Sequence, residues 1–266
     1  MDNNWIVEQT EYNVSQWDKS MENIDPSVKQ WNRNPDRYYN RVCIECNFFD
    51  SVKVIEWEKY IAKDSKVLDL GCGGGWLSAY LSTFMHTKSI LALDTSKNYL
   101  FNIMPGVINI LKGDSSKITP IEGMFTPLLI QEKSLNMVVA SAAVHHADNL
   151  EAVLTEIGSK LKSGGYLMIL NETPQGYIRY IARIILSFFK LLTKTVIKQY
   201  ETVSPKISAS GFEYDAYLGD RSYPLWYWEN AIHRAGFEII ELVDSNLPTL
   251  KNTKQVTLKH FICQKV

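Results

Sequence analysis

The sequence predicts an α/β fold: a doubly wound, mostly parallel seven-stranded sheet with a closing β-hairpin, N-terminal helices and a helical cap insertion. Three observations carry this. From Lys66 onward, short apolar strand-like runs alternate with segments of helical period. The first run, Val67, Leu68 and Leu70, ends in a turn with four glycines in five positions, Gly71 to Gly75. Polar residues then recur where successive strands end, at Asp69, Asp94, Asp114 and His145/His146, and open parallel sheets bind their ligands at those ends.

Length and composition bound the answer. A chain of 266 residues with 45% hydrophobic content can bury one α/β core and a small cap. Net charge is −1 with pI near 6.5, and no basic patch is interleaved with aromatics, so nucleic acid is not an expected partner. The start, MDNNWIVEQTEYN, lacks the basic region and apolar core of a signal peptide, and a soluble, cytoplasmic protein is expected. Four cysteines do not make a disulfide framework in a chain this long. Cys43 and Cys46 form a C-x-x-C without further ligands nearby, so they read as small buried residues and no metal site is expected.

Residues 1–49 read as a helical lid, in which Trp31, Tyr38 or Tyr39 either closes over a ligand or packs the helices down on the core. Asn34-Pro35 starts one helix, and Asp50-Ser51 starts another with Val54, Trp57 and Ile61 on one face. After the glycine turn a helix resumes at Trp76, presenting bare backbone N–H groups to a nucleotide-like ligand that a Cβ at Gly71 or Gly73 would hold away. Ser89 to Asp94 is the second strand. Asp94 stands about 20 residues beyond the glycines, where a carboxylate accepts hydrogen bonds from ribose hydroxyls. Val107 to Leu111 reads as the third strand, with Asp114 and Ser115 in the turn after it, and residues 116–136 read as loop with a short helix. Met137 to Val144 is the fourth strand and its exit. Asn149 caps the following helix, Tyr166 to Leu170 is the fifth strand, and a helix from Pro224 to Arg234 precedes the hairpin that ends near Cys263.

The glycine spacing selects the ligand. Trp76 stands where a dinucleotide fingerprint requires its third glycine, which opposes a nucleotide-dependent oxidoreductase. The pattern Asp69-x-Gly71-x-Gly73-x-Gly75 instead resembles motif I of the class I S-adenosylmethionine-dependent methyltransferases, in the methyltransferase type 11-like small-molecule branch. An acid at the turn suits that cationic ligand and repels a pyrophosphate. The resemblance covers residues 50–172 well and 222–266 moderately. It implies S-adenosylmethionine as cofactor, with Asp69, Gly71, Cys72, Gly73, Asp94, Thr95, Asp114, Ser115 and Ala140 as its contacts and Asp114 toward the adenine amino group. It also implies methyl transfer to a small-molecule acceptor, a hydrophobic or lipid-linked one given the insertion below. His145 and His146 are the candidate catalytic bases, and adjacent residues in extended backbone point opposite ways, so one of them should face the pocket. The alternative is a regulatory or assembly protein that binds S-adenosylmethionine without turnover.

Core residues 50–172 and 222–266 flank an insertion at 173–221. Arg179, Arg183, Lys190, Lys194 and Lys198 fall on one stripe of an otherwise apolar helix, giving either a cap over the core or a peripheral membrane contact through 176–200.

Overall fold

The computed structural model describes residue 5 and residues 33–147, 149–174, 220–250 and 256–266, with a few isolated positions between 181 and 214. The strands of its main sheet are β1 (Ser65–Leu70), β2 (Thr87–Asp94), β3 (Ile118–Glu122), β4 (Leu135–Ser141), β5 (Leu161–Glu172), β6 (Phe237–Pro248) and β7 (Thr257–Lys265). They lie in the order β3-β2-β1-β4-β5-β7-β6. The first five pair in parallel, whereas β7 runs antiparallel to both β5 and β6. This is the doubly wound sheet with a closing hairpin that the alternating pattern predicts.

The helices are α1 (Pro35–Tyr39), α2 (Phe48–Ser51), α3 (Trp76–Ser82), α4 (Met104–Leu111), α5 (Leu150–Lys160) and α6 (Leu225–Arg234). Alternation along the strands splits the core into two layers. Val67, Val139 and Met168 pack with Trp57, Trp76 and Ile103 on one face. Leu68, Leu70, Val138 and Ile169 pack with Leu154, Ile157, Trp228 and Ile232 on the other. Helix starts are capped as the sequence suggests: the Asn34 side chain accepts from the Asp36 and Arg37 N–H groups, and Asn149 accepts from Ala152.

Two sequence readings are corrected. Val107 to Leu111 is not the third strand but the body of α4, because Met104, Val107, Ile108 and Leu111 repeat at helical spacing and the first three of them are buried. The true third strand, β3, lies within the stretch read as loop and carries Pro120 at its middle, tolerated because β3 is the outer strand of the sheet. Secondly, the helix expected from Asp50 breaks after α2 into short 3₁₀ turns at Val52–Val54 and Trp57–Lys59, separated by the extended Ile55. Trp57 and Ile61 are buried, whereas Val54 is exposed. Apart from isolated positions, the basic stripe between Gln175 and Tyr200 lies outside the described residues. Among the described residues no helix is long and apolar enough to cross a membrane.

One buried histidine ties α2 to the sheet. His260, on β7, accepts the Asn171 N–H through Nδ1 at 3.1 Å, and its Nε2 donates to the Ser51 carbonyl at 3.0 Å. Burial lowers its pKa to about 4, against the opposing pull of the Ser51 carbonyl and Asp244. An unfolded histidine takes up a proton near pH 6.5 that the folded one refuses until about pH 4. Its contribution is therefore present above pH 6.5 and is lost as pH falls toward 4. Urea unfolding of wild type and His260→Gln at a series of pH values should show the wild-type advantage shrinking across that window by on the order of 3 kcal/mol. A constant difference would contradict a neutral buried His260.

Candidate functional site

At the carboxyl ends of β1, β2 and β4 the chain encloses a cavity of about 510 Å³. The glycine turn forms one wall. Gly71 and Gly73 have φ of +70° and +51°, a region that L side chains rarely adopt. A Cβ on Gly71 would come within 2.7 Å of the Ala143 side chain, and one on Gly73 within 2.5 Å of the Tyr38 hydroxyl. The glycines thus permit close approach of the β4 exit loop and of α1, as well as of a ligand.

The N–H groups of this turn are not bare, contrary to the reading from sequence. Gly71 and Cys72 donate to the Leu93 carbonyl, Gly73 donates to Asp94 Oδ2 at 2.8 Å, and Gly74 donates to the Tyr38 hydroxyl at 2.8 Å. The turn is therefore rigidly held by the end of β2 and by α1, and what it offers the cavity is shape together with carboxylates. Asp94 also accepts the Ser96 N–H through Oδ1 at 2.9 Å, which fixes its side chain at the rim. Tyr38 packs on Tyr99 with ring centroids 5.4 Å apart, and both rings line the cavity.

Asp69 is 1% exposed on β1. Its Oδ2 accepts the Ser78 hydroxyl of α3 at 2.6 Å, while Oδ1 has no hydrogen-bond partner. Burial raises its pKa to about 7; the Ser78 hydrogen bonds oppose the shift and Asp94 adds to it. An orphaned carboxylate oxygen beside a cavity fits a ligand that brings a cationic donor.

On the far side of β4 the turn Val144–His146 presents the two histidines. His146 lines the cavity and His145 does not. His145 Nδ1 lies 2.8 Å from Glu172 Oε2, at the end of β5, and its Nε2 lies 3.5 Å from Asp220 Oδ1. The same Asp220 oxygen is 3.4 Å from His146 Nδ1. Burial opposes the charged ring of His145, yet Glu172 and Asp220 outweigh it and raise the pKa to about 10. Asp220 is held below the usual carboxylate range by His145 and His146, against the effect of its own burial. Arg221 donates from Nη1 to the His146 carbonyl and from its N–H to the His145 carbonyl, holding the turn in place.

Of the residues singled out from sequence, Asp69, Gly71, Cys72, Gly73, Asp94, Thr95 and His146 meet at the cavity. Ala140 is wholly buried within β4, and Ser141 to Ala143 take its place on the wall. Asp114 and Ser115 lie at the opposite, amino end of the strands, before β3, where Asp114 caps a short 3₁₀ turn by accepting from Ser116. This follows from the misassigned third strand. The segment after the real β3, Gly123 to Thr126, lines the cavity instead. Tyr99, Glu172 and Asp220 were missed. Glu172 carried the same signal as Asp94, an acid at the end of an apolar strand, and could have been found by it.

Comparison with known proteins places this architecture. The family model described as "Methyltransferase domain" matches residues 68–169. The sterol 24-C-methyltransferase erg-4 of Neurospora crassa is 28% identical over 180 residues, 63% of this chain and 45% of that protein. The ubiquinone/menaquinone biosynthesis C-methyltransferase UbiE of Campylobacter jejuni is 25% identical over 128 residues, 46% of this chain and 51% of that one. The chain thus spans about half the length of these curated relatives. It also matches 6% of the iterative polyketide synthase afoE of Emericella nidulans, at 25% identity. Among solved structures, a SAM-dependent methyltransferase from Aquifex aeolicus superposes with a TM-score of 0.55 at 15% identity, covering 91% of this chain and 100% of that one, which supports the fold. Residues 68–169 therefore match a methyltransferase domain, and the chain shares its fold with that solved SAM-dependent methyltransferase.

Proposed function

We propose that this protein transfers the methyl group of S-adenosylmethionine to a small, largely apolar acceptor. The observation that carries the proposal is one cavity with carboxylates at the glycine turn, a histidine on the β4 side, and apolar walls between them. Asp69 and Asp94 fit the cofactor: a buried, half-satisfied carboxyl for its cationic amino acid part and a rim carboxylate for its ribose. When bound, the cofactor supplies an electrophilic methyl group. The chain's own share is to position the acceptor and to exclude water.

Val42, Phe48, Phe125, Ala147 and Val153 line the rest of the cavity and suit an apolar acceptor. Tyr38 and α1 close the cofactor side. Of the two histidines, His146 is the one that borders the acceptor. His145, clamped between Glu172 and Asp220, orients it from behind.

Calorimetric titration with S-adenosylmethionine, S-adenosylhomocysteine and NAD should show the first two binding, and binding of NAD alone would overturn the proposal. Asp94→Ala should weaken cofactor binding by about 1–3 kcal/mol, since it removes a charged acceptor. Unchanged affinity would take Asp94 out of the site.

A cationic ligand favours ionised Asp69, which holds its proton below about pH 7. Binding below that pH must expel the proton, so affinity should rise as pH increases toward 7, by up to about tenfold per unit, and Asp69→Asn should abolish the slope. Proton release measured by calorimetry in buffers of different ionisation enthalpy checks the sign.

His146→Ala should lower turnover by about 10²-fold or more while leaving cofactor affinity within a few fold. Equal loss of both would mean that the residue shapes the pocket only.

A further inference from the structure

The cluster behind the cavity has the composition and spacing of a metal centre. Among the described residues, His145, His146 and Asp220 form a group whose donor atoms, one from each residue, lie within 4.8 Å of one another. We propose that His145, His146 and Asp220 bind a single divalent transition-metal ion of the zinc type, with Glu172 as the outer partner that orients His145.

Two distances favour this over a plain hydrogen-bonded cluster. The Asp220 oxygen stands 3.5 Å from His145 Nε2 and 3.4 Å from His146 Nδ1. Good N–H···O hydrogen bonds lie at about 2.7–3.2 Å, so neither contact is a close one. Two ligands each about 2.0–2.1 Å from a tetrahedral ion are separated by about 3.3–3.4 Å, which is nearly the spacing seen. Two edges of the coordination polyhedron are thus in place, and rotation of the histidine rings can supply the third.

The tautomer agrees. With Nδ1 at 2.8 Å from Glu172 Oε2, His145 can donate its Nδ1–H to that carboxylate, and an ion would take the place of the Nε2 proton that faces Asp220. A carboxylate behind a ligating imidazole is the usual outer arrangement at such sites, where it fixes the ring and raises its basicity. Glu172 is 3% exposed, and its second oxygen has no hydrogen-bond partner, so this carboxylate is committed to His145. Arg221 points its Nη1 at the His146 carbonyl and braces the turn that carries both rings. Two nitrogens and one oxygen from the protein leave a further coordination position, the arrangement of an open site.

Because His146 also lines the cavity, the ion would border the acceptor. It would orient an acceptor oxygen and stabilise its anion, which points to phenol- or enol-like acceptors and makes His146 a ligand in place of a base. This last step rests on the proposed methyl transfer; the metal site itself does not.

The test is titration of the chelator-treated full chain with Co²⁺, followed by visible absorption and by metal analysis after desalting. One Co²⁺ per chain with the intense bands of a four-coordinate ion, displaced by Zn²⁺, is expected. His146→Ala and Asp220→Ala should each weaken binding at least about tenfold, and Glu172→Gln by about 10–100-fold, the range for outer-sphere partners. Thermal unfolding of each variant without metal separates lost ligation from lost folding. Wild-type protein that retains no cobalt, or folded variants that bind it as tightly as wild type, would overturn the inference. Metal uptake without methyl transfer would keep the site and remove the proposed function; S-adenosylmethionine-dependent turnover in chelator-treated protein would keep the function and remove the ion's part in it.

Discussion

The Asp94 carboxylate holds the site together. One oxygen takes the Gly73 N–H and the other the Ser96 N–H, so a single side chain joins the turn after β1 to the loop after β2. Charge-assisted bonds of this kind are the stronger class of hydrogen bond, and here they act on a backbone that only glycine can adopt without strain. Every other wall is placed relative to this junction. The Tyr38 hydroxyl reaches Gly74, Ala143 packs under Gly71, and Asp69 lies one strand inward with its free oxygen beside the same space.

Such an arrangement brings two carboxylates to one end of the cavity. Burial raises the cost of ionising Asp69, and the nearby Asp94 adds to it. A buried carboxyl with a raised pKa gives up stability at neutral pH, which a cationic ligand restores on binding. The second polar cluster is built differently: His145 lies between Glu172 and Asp220, and the same Asp220 oxygen also reaches His146.

The sequence was most legible where local rules coincide with tertiary demands. Val67 to Leu70 followed by the glycines could be little other than a buried strand and a tight turn, and Asn34-Pro35 and Asn149 cap helices by bonds that need no distant partner. It misled where a short β-branched run satisfied two periods. Val107, Ile108 and Ile110 suit a strand by composition, but Met104 to Leu111 repeats as a helix, and burial of Met104, Val107 and Ile108 in the core decided it. The error carried Asp114 to the wrong end of the sheet. Pro120 had the opposite effect, hiding a strand that an outer position allows. The Glu172 and Asp220 pairing was beyond reach, because 48 positions separate them in the chain and only the fold brings both to His145.

That same Pro120 bears on how the molecule meets its own kind. An outer strand exposes unpaired backbone groups and is a template for adding strands from another copy. With proline at its centre, β3 offers one donor fewer and cannot extend a regular ladder. At the other margin, β6 is longer and alternates Glu238 and Glu241 with the exposed Ile240 and Leu242. Like charges on two such edges repel in register, so strand-to-strand association is discouraged there by charge and at β3 by covalent geometry.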